Sequence, residues 1–466
     1  MTEQINWKEE VKKYQDDFLE DLKEVLSIDS VRNDDEATEE FPVGPGPAKA
    51  LHKVLEIGER DGFDTKQLEN WAGHIEYGEG EEILGILGHV DVVPVGSGWD
   101  TDPFDPVIKD GKVFARGSSD DKGPTMAAYY ALKIIKDLDL PVSKKVRVII
   151  GTDEESGWQG LRHYLEHEQM PDFGFSPDAN FPIINGEKGN YEIDIATDAS
   201  NEGDLKLVSF ESGLRSNMVP QDATAKVASE NPEAIREAFD AFIAEQPVEG
   251  DASIDSKTVT LNVVGQASHG SKPQNGVNAA TYLAVFLNTQ ELGGDAKAFV
   301  NLIETYLHDD PYGEKLGVAQ DDDVMGNLTS NPGVFRFEDG EEAVITVNMR
   351  YATGDDEMLT GQITDTLQGE DVTIHVKDGK VPHYVPGDDP LVQTLLDVYG
   401  RQTGLEAHEQ VIGGGTYGRL LDRGVAFGAL FPDSADTMHQ ANEYITVDDL
   451  MNAMAIYAES IYELVK

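Results

Sequence analysis

Three adjacent carboxylates occupy the segment Gly151-Thr152-Asp153-Glu154-Glu155-Ser156-Gly157. They follow the apolar run from Val146 to Ile150, which is typical of a buried β-strand closed by a glycine-bounded turn. Acids this close repel one another and bind protons unless a cation lies nearby. A chain with 88 Asp and Glu residues contains about three acidic triplets by chance. Asp321 to Asp323 and Asp355 to Glu357 are interpreted as such ordinary, solvated runs.

Five further polar residues lie at predicted strand ends or in small-residue loops, namely His89, Asp91, Asp120, Asp178 and His439. If the apolar strand from Ile83 continues through His89-Val90-Asp91, its alternation places both polar side chains on one side. One could then bind a metal while the other orients a neighbour. Each residue also has an ordinary explanation. Asp120 could be a helix N-cap unless Asp121 takes that place, Asp178 could be a turn residue, and His439 could be an exposed loop histidine.

Alternating helices and strands must position these side chains. Helical spacing of apolar residues predicts helices over 5–28, 47–61 and 126–138. With the strands 83–91 and 146–150 they indicate a mostly parallel sheet covered by helices. Ligands of such open α/β sheets bind at the carboxyl ends of the strands, and His89, Asp91, Glu154 and Glu155 all lie at such ends.

The pattern changes near Gly186. From there to about Val381, alternating strands such as 191–195, 259–264 and 343–349 and helices at 232–244 and 279–287 predict an inserted α+β domain. A helix predicted over 391–403 then returns to the α/β pattern of the first 186 residues. The predicted organisation is an α/β catalytic domain in two segments, residues 1–186 and 382–466, with a lid-like domain at 187–381.

Composition limits the classes of partner. The formal net charge of −52 argues against nucleic acid and anionic membranes, which need a basic face. No apolar stretch is long enough to span a bilayer, and the first 24 residues lack the pattern of a secretory signal, so a cytoplasmic protein is expected. Without cysteine, any metal must be held by carboxylates and by some of the 11 histidines.

The order and context of these residues resemble the co-catalytic zinc peptidases that include aminoacylase, carboxypeptidase G-type enzymes and carnosinases, and most closely the PepV-type dipeptidases. The matching segments span nearly the whole chain in family order: Gly88 to Pro94, Gly117 to Gly123, Thr152 to Ser156, Ser176 to Pro182, Asn217 to Pro220, Gly265 to Ala280, Asn348 to Arg350, Gly413 to Arg419 and Met438 to Glu443. Together they are far more specific than any one motif.

The resemblance implies two zinc ions per chain bridged by Asp120, with cobalt and manganese as alternatives. One ion would also be held by His89 and Asp178, and the other by Glu155 and His439. Nitrogen and oxygen donors of this kind suit zinc, and two ions so bridged can share a water. Glu154 would be the general base acting on that water, and Asp91 would orient His89.

The resemblance also implies roles for the lid. His269 would stabilise the tetrahedral oxyanion, while Asn217 and Arg350 would recognise substrate, since an arginine fork suits a carboxylate. Arg350 could equally pair with an acid of the lid. Gly414, Gly415 and Thr416 would approach the carboxyl end of the substrate.

Three functions follow from these observations. The first is a zinc dipeptidase, acting as a monomer on small dipeptides with a free amino terminus, including β-Ala-Xaa dipeptides such as carnosine. The second keeps the fold and metals but acts on N-acyl amino acids such as acetylornithine or succinyl-diaminopimelate. The third, a non-catalytic binding protein, is disfavoured because Glu154 stands beside all five ligands without being needed as one.

Overall fold

The computed structural model describes residues 5–377 and 379–466, and these divide into two compact units. The first unit comprises the described residues of Met1–Gly186, Tyr384–Gln410 and Gly415–Lys466, and the second comprises those of Glu187–His383 and Val411–Gly414. The assignment of Val411–Gly414 to the second unit differs from the predicted domain limits. Its local contacts explain the difference, because the Lys188 amide donates to the Ile412 carbonyl at 2.9 Å.

The first unit is built on a six-stranded sheet whose strands, in spatial order, are Asp64–Leu68, Ala72–Tyr77, Lys145–Gly151, Ile83–His89, Phe173–Ser176 and Gly424–Ala426. The last four pair in parallel, and the first two add an antiparallel hairpin at one edge. Every residue of Ile83–His89 is buried, as expected for a central strand covered on both faces. The predicted mostly parallel α/β sheet is therefore confirmed.

In the part of the chain that the structure describes, seven α-helices accompany this sheet: Trp7–Val11, Gln15–Leu26, Pro45–Arg60, Lys122–Asp137, Gln159–His167, Pro390–Thr403 and Val447–Val465. Short 3₁₀ turns occur at Lys12–Tyr14, Asp34–Glu36 and Tyr417–Leu420. The remaining strands of the unit are Val107–Lys109, Lys112–Phe114, Tyr444–Thr446, Ala179–Asn180 and Ala429–Leu430. The single helix predicted over 5–28 is thus interrupted by a tighter turn, which apolar spacing alone does not reveal.

The second unit contains an eight-stranded antiparallel sheet. In spatial order its strands are Glu249–Asp255, Thr258–Val264, Asp222–Ala228, Lys206–Ser212, Thr329–Glu338, Glu342–Tyr351, Gly189–Asp198 and Thr373–Val376. Its helices are Pro232–Ile243, Ala279–Asn288, Asp295–Tyr306 and Asp356–Thr366, with a 3₁₀ turn at Pro273–Asn275. Alternating burial along Thr258–Val264 is typical of a sheet with one face on a core. The unit has its own apolar core, including Phe210, Leu261 and Phe299.

Two-residue strands at Gly186–Glu187, His383–Tyr384 and Val411–Ile412 mark the segments where the chain passes from one unit to the other. Across residues 5–377 and 379–466, no helix combines the length and the apolar character that crossing a bilayer requires.

Two local predictions need correction. The strand that begins at Ile83 ends at His89, so Asp91 lies beyond the sheet and strand alternation does not position it. Asp121 does occupy the N-cap position of helix Lys122–Asp137, but its carboxylate makes no cap hydrogen bond. It accepts instead from the Thr125 hydroxyl at 2.7 Å and from the His89 amide at 3.3 Å. A buried acid at the start of the helix Lys122–Asp137 therefore holds the backbone amide of His89.

Candidate functional site

Parallel strand pairing brings three polar strand ends together in the first unit. His89 is paired directly with Gly151, so the histidine and the turn that carries Glu154 and Glu155 start at the same level of the sheet. Asp178 follows the neighbouring parallel strand Phe173–Ser176 by two residues. The site is therefore built at the carboxyl edge of the sheet, where open α/β sheets bind ligands.

The His89 ring is fully buried and faces carboxylates. Its Nδ1 lies 3.0 Å from the Asp91 backbone carbonyl, which fixes the proton on that nitrogen. Its Nε2 lies 3.2 Å from Asp120 Oδ1 and 3.5 Å from Asp178 Oδ2, yet makes no hydrogen bond within the described residues. Burial opposes protonation of the ring, but the contacts with Asp120 and Asp178 outweigh it and raise the pKa of His89 well above its ordinary value.

Asp120 faces two histidines with its two carboxylate oxygens. Oδ1 points to His89, and Oδ2 lies 2.9 Å from His439 Nε2. The same nitrogen of His439 lies 3.0 Å from Glu155 Oε1. Burial alone would raise the pKa of Asp120, but the close contacts with His439 and His89 hold it below its ordinary value. Asp120 and Glu155 in turn raise the pKa of His439 to about 10.

The turn of Glu154 and Glu155 is held by Asp91. One oxygen of the Asp91 carboxylate accepts from the Glu154 amide and the other from the Glu155 amide, each at 3.1 Å. Both glutamates therefore leave the regular strand, which ends at Gly151, and neither is forced to the opposite sheet face. Burial, followed by the charge of Asp178, raises the pKa of Glu154 well above its ordinary value. Burial likewise raises the pKa of Glu155 to about 7.

The donor set fits divalent metal ions. Ligand atoms of His89, Asp120 and Glu155 lie within 4.8 Å of one another, as do those of His89, Glu154 and Asp178. The donors are imidazole nitrogens and carboxylate oxygens, which zinc accepts. Because the Asp91 carbonyl holds Nδ1 of His89, the buried Nε2 of that ring is the nitrogen that faces the carboxylates of Asp120 and Asp178 and could bind an ion. Several acids this close favour a compensating cation, since without one they bind protons at raised pKa values.

Three supporting residues were not predicted. The Glu443 carboxylate accepts from the amides of Ser119 at 2.9 Å and Asp120 at 3.2 Å, and it pairs with the buried Arg116 guanidinium at 2.7 Å. The sequence signal for Glu443 is its place in the segment Met438 to Glu443, which also contains His439 and resembles the family. Asp153, left without a role by the sequence, accepts from the amides of Gln159 at 2.7 Å and Gly160 at 3.1 Å. It thereby fixes the start of the helix after the turn.

The second unit brings several of its predicted substrate-binding residues together. The Asn217 carbonyl accepts from the Gly270 amide at 2.7 Å, next to His269, whose Nδ1 lies 2.7 Å from the Ser271 hydroxyl. Burial and then the Arg350 charge lower the pKa of His269. Gly413 packs so closely that a Cβ there would lie 2.7 Å from that of Ser271 and 3.7 Å from Arg350 Cγ.

The glycine-rich turn is divided between the two units. Gly414 belongs to the second unit, and Gly415 and Thr416 belong to the first. The Thr416 hydroxyl accepts from the Gly418 amide at 3.1 Å and caps the 3₁₀ turn Tyr417–Leu420. This side chain is therefore held in place by its own turn.

Comparison with known proteins identifies the family. The family model described as Peptidase family M20/M25/M40 matches residues 85–463. The chain belongs to this family. The predicted family of metallopeptidases is thereby confirmed, and the matched segment contains every proposed metal ligand. A Staphylococcus saprophyticus protein that bears the name "Putative dipeptidase" is 48% identical over 465 residues, covering 98% of this chain and 99% of the relative. A Staphylococcus aureus protein of the same name is 47% identical over 466 residues, with the same coverage.

Solved structures of family M20 and related peptidases share the fold. The aminoacylhistidine dipeptidase of Vibrio alginolyticus matches with a TM-score of 0.59 and 14% identity, over 96% of each chain. Human carnosine dipeptidase 1 matches with a TM-score of 0.57 and 16% identity, over 98% of each chain. A Bacillus subtilis member described as a dinuclear metal-binding peptidase matches with a TM-score of 0.50 and 10% identity, over 97% of this chain and 99% of that one.

Proposed function

We propose that this protein is a metal-dependent dipeptidase that hydrolyses dipeptides with a free amino terminus. The observation that carries the proposal is Asp120, one of whose carboxylate oxygens faces His89 while the other faces His439. This arrangement suits a carboxylate that bridges two metal ions. Membership of family M20/M25/M40 supports a peptidase, and the names of the staphylococcal relatives support a dipeptidase.

Five residues would hold two divalent ions, with Asp120 shared between them. His89 and Asp178 would complete one site, and Glu155 and His439 the other. Zinc is the proposed metal because the donors are two imidazoles and three carboxylates. Ions bound here would supply Lewis acidity and lower the pKa of water, so that a nucleophile is available at neutral pH.

Glu154 is the proposed general base. Its carboxylate would take a proton from the attacking water and later give it to the leaving amine. The two oxygens of the Asp91 carboxylate accept from the backbone amides of Glu154 and Glu155. These hydrogen bonds fix the backbone from which both glutamate side chains extend. Asp91 also holds Nδ1 of His89 through its backbone carbonyl, which directs Nε2 of that ring to the other donors.

The second unit is proposed to recognise the substrate. His269 would donate to the oxyanion that forms at the scissile carbonyl, and Arg350 and Asn217 would bind polar groups of the dipeptide. Gly414, Gly415 and Thr416 would bind its terminal carboxylate. Recognition of both charged ends makes the enzyme select by length, because a longer peptide would bury an unpaired peptide group. We further propose that the protein is cytoplasmic and acts as a monomer.

Parallel hydrolysis assays test the function. The zinc-loaded enzyme is given Leu-Gly, β-Ala-His, N-acetylornithine and a pentapeptide that begins with Leu-Gly, each at the same concentration. We expect hydrolysis of the dipeptides and little release from the other two. Preferential hydrolysis of N-acetylornithine would replace the proposal by an N-acyl amino acid deacylase. Comparable turnover of the pentapeptide and of Leu-Gly would contradict selection by length.

A further inference from the structure

A second group of metal-binding side chains lies on the helix Gln159–His167, outside the site described above. His163 and His167 are four residues apart and therefore share one face of the helix. Their ring centroids lie 4.2 Å apart. Ligand atoms of His163, Glu166 and His167 all lie within 4.8 Å of one another. Two imidazoles and a carboxylate thus converge on one turn of helix.

A carboxylate from a different element contacts one of these imidazoles. Glu69 follows the strand Asp64–Leu68, and its Oε2 lies 2.9 Å from His163 Nε2. The cluster of His163, Glu166, His167 and Glu69, called here the helix cluster, therefore combines three donors on one helix with a carboxylate of a hairpin turn that orients His163. Residues His163 to His167 have the spacing His-x-x-Glu-His. Helices of some zinc enzymes present two histidines to the metal with this spacing.

The tautomer of His167 suits a ligand. Its Nδ1 lies 2.8 Å from the backbone carbonyl of His163, so this nitrogen carries the proton. The lone pair is then on Nε2. Metal-binding histidines characteristically donate their other ring N–H to a backbone carbonyl or a carboxylate. Because the His167 side chain is exposed, an ion can reach Nε2 directly.

Both elements of the helix cluster are fixed by other contacts. Beside Glu69, the Asn70 side chain donates to the Glu40 carbonyl at 2.7 Å and lies 2.7 Å from His52 Nε2. The helix is held at its start by the Asp153 carboxylate, which binds the Gln159 and Gly160 amides. Since both backbones are set without an ion, binding one would require little further ordering of the chain.

We propose that the helix cluster binds one divalent transition metal ion of the zinc or copper class. Imidazole nitrogens favour these ions over magnesium and calcium, which prefer oxygen-only sites. The strongly negative net charge raises the local concentration of cations. The bound ion would be held on the helix by His163, Glu166 and His167, with Glu69 of the hairpin turn contacting His163.

Counting bound zinc tests this proposal. The full-length protein and its variants are equilibrated with micromolar free zinc, and bound zinc is measured by inductively coupled plasma mass spectrometry. His167→Gln should hold one zinc fewer per chain than the wild type. The matched control His375→Gln, an exposed histidine on the strand Thr373–Val376, should hold the same number as the wild type. Glu69→Gln should bind the additional ion about tenfold more weakly.

Thermal unfolding with and without added zinc is a second readout. Zinc should raise the unfolding midpoint of the wild type and of His375→Gln by more than that of His167→Gln, because an ion that binds the folded state stabilises it. If the wild type and His167→Gln bound the same number of zinc ions, or if zinc shifted their midpoints equally, the helix cluster would be a surface ion pair only. The test does not depend on the proposed dipeptidase. If the buried site around Asp120 bound no zinc, the zinc count would be lower in the wild type and in His167→Gln alike, and the two counts would still differ by one ion.

Discussion

Two groups of histidines and carboxylates lie in the first unit, and they differ in burial and in support. In the buried cluster of His89, Asp120, Glu154, Glu155, Asp178 and His439, the His89 ring is inaccessible to solvent, and only His439 is well exposed. In the helix cluster the carboxylates of Glu69 and Glu166 are exposed. Exposed carboxylates keep most of their hydration, whereas buried ones must be compensated inside the protein.

The two clusters also differ in what holds their ligands. Asp91 fixes the amides of Glu154 and Glu155, and Glu443 fixes the amide of Asp120. In the helix cluster, one backbone hydrogen bond orients His167. The comparison suggests that affinity follows the supporting hydrogen bonds as much as the ligands themselves. We therefore expect tight binding at the buried cluster and weaker, exchangeable binding at the helix cluster.

The largest effect is expected when Glu154 is replaced. Glu154→Gln keeps the shape of the side chain and removes its basicity, so turnover of Leu-Gly should fall about a hundred- to ten-thousand-fold. Bound metal should be retained, because Glu154 is proposed as a base and not as a ligand. Steady-state kinetics and metal analysis of the same preparation check both statements. Unchanged turnover would contradict the role, and loss of metal would make Glu154 a ligand.

A smaller effect is expected at Glu443. Glu443→Gln removes the charge that faces Arg116 and weakens the acceptor for the Asp120 amide, so metal affinity at the buried cluster should fall about ten- to a hundredfold. Competition with a chelator measures this affinity. Glu69→Gln serves as the control, since it changes a carboxylate outside the buried cluster. Equal affinities in Glu443→Gln and wild type would remove the argument that this buried pair supports the site.

His74 separates the effect of burial from that of neighbouring carboxylates. It is buried like His89, but its Nδ1 lies 2.5 Å from the Tyr164 hydroxyl, and burial followed by the charge of Arg147 lowers its pKa to about 4. An unfolded histidine binds a proton near pH 6.5 and the folded one does not, so stability should fall as pH drops from 6.5 towards 4. The contribution between pH 7.5 and pH 5 is about 2 kcal/mol.

Urea unfolding of wild type and His74→Gln at pH 7.5 and pH 5 measures this contribution. The variant should lose less stability on acidification than the wild type, by roughly the same 2 kcal/mol. The comparison uses the change with pH, because the substitution also removes the contact with Tyr164. Identical pH dependence in the two proteins would mean that His74 accepts a proton as readily in the folded as in the unfolded chain.

The sequence predicted the elements of the buried cluster better than their connections. Apolar runs identified the strands that end near His89 and Glu154, because buried strands need such residues along their length. The exact end of the strand at His89 was missed, since Val90 continues the apolar pattern. The helix over 5–28 was predicted as one piece, because a 3₁₀ turn preserves nearly the same spacing of apolar residues.

The supporting contacts could not be predicted from local patterns. Glu443 binds the Ser119 and Asp120 amides across more than 320 positions of sequence, and nothing near Glu443 indicates which amide it meets. Asp153 is one of three adjacent acids, and the direction in which each side chain points depends on where the turn begins. The helix cluster was missed for a related reason: His163 and His167 were visible at helical spacing, but Glu69 joins them only in the folded chain.

The central claim is that Asp120 holds two metal ions together, and metal counting tests it most directly. The measurement is made in the His167→Gln background, so that the helix cluster contributes no ion, after dialysis into zinc-free buffer. The account predicts two tightly bound zinc ions per chain in this protein and loss of both when Asp120→Asn is added. A single bound zinc ion in His167→Gln, or two zinc ions retained in the double variant with Asp120→Asn, would contradict the claim.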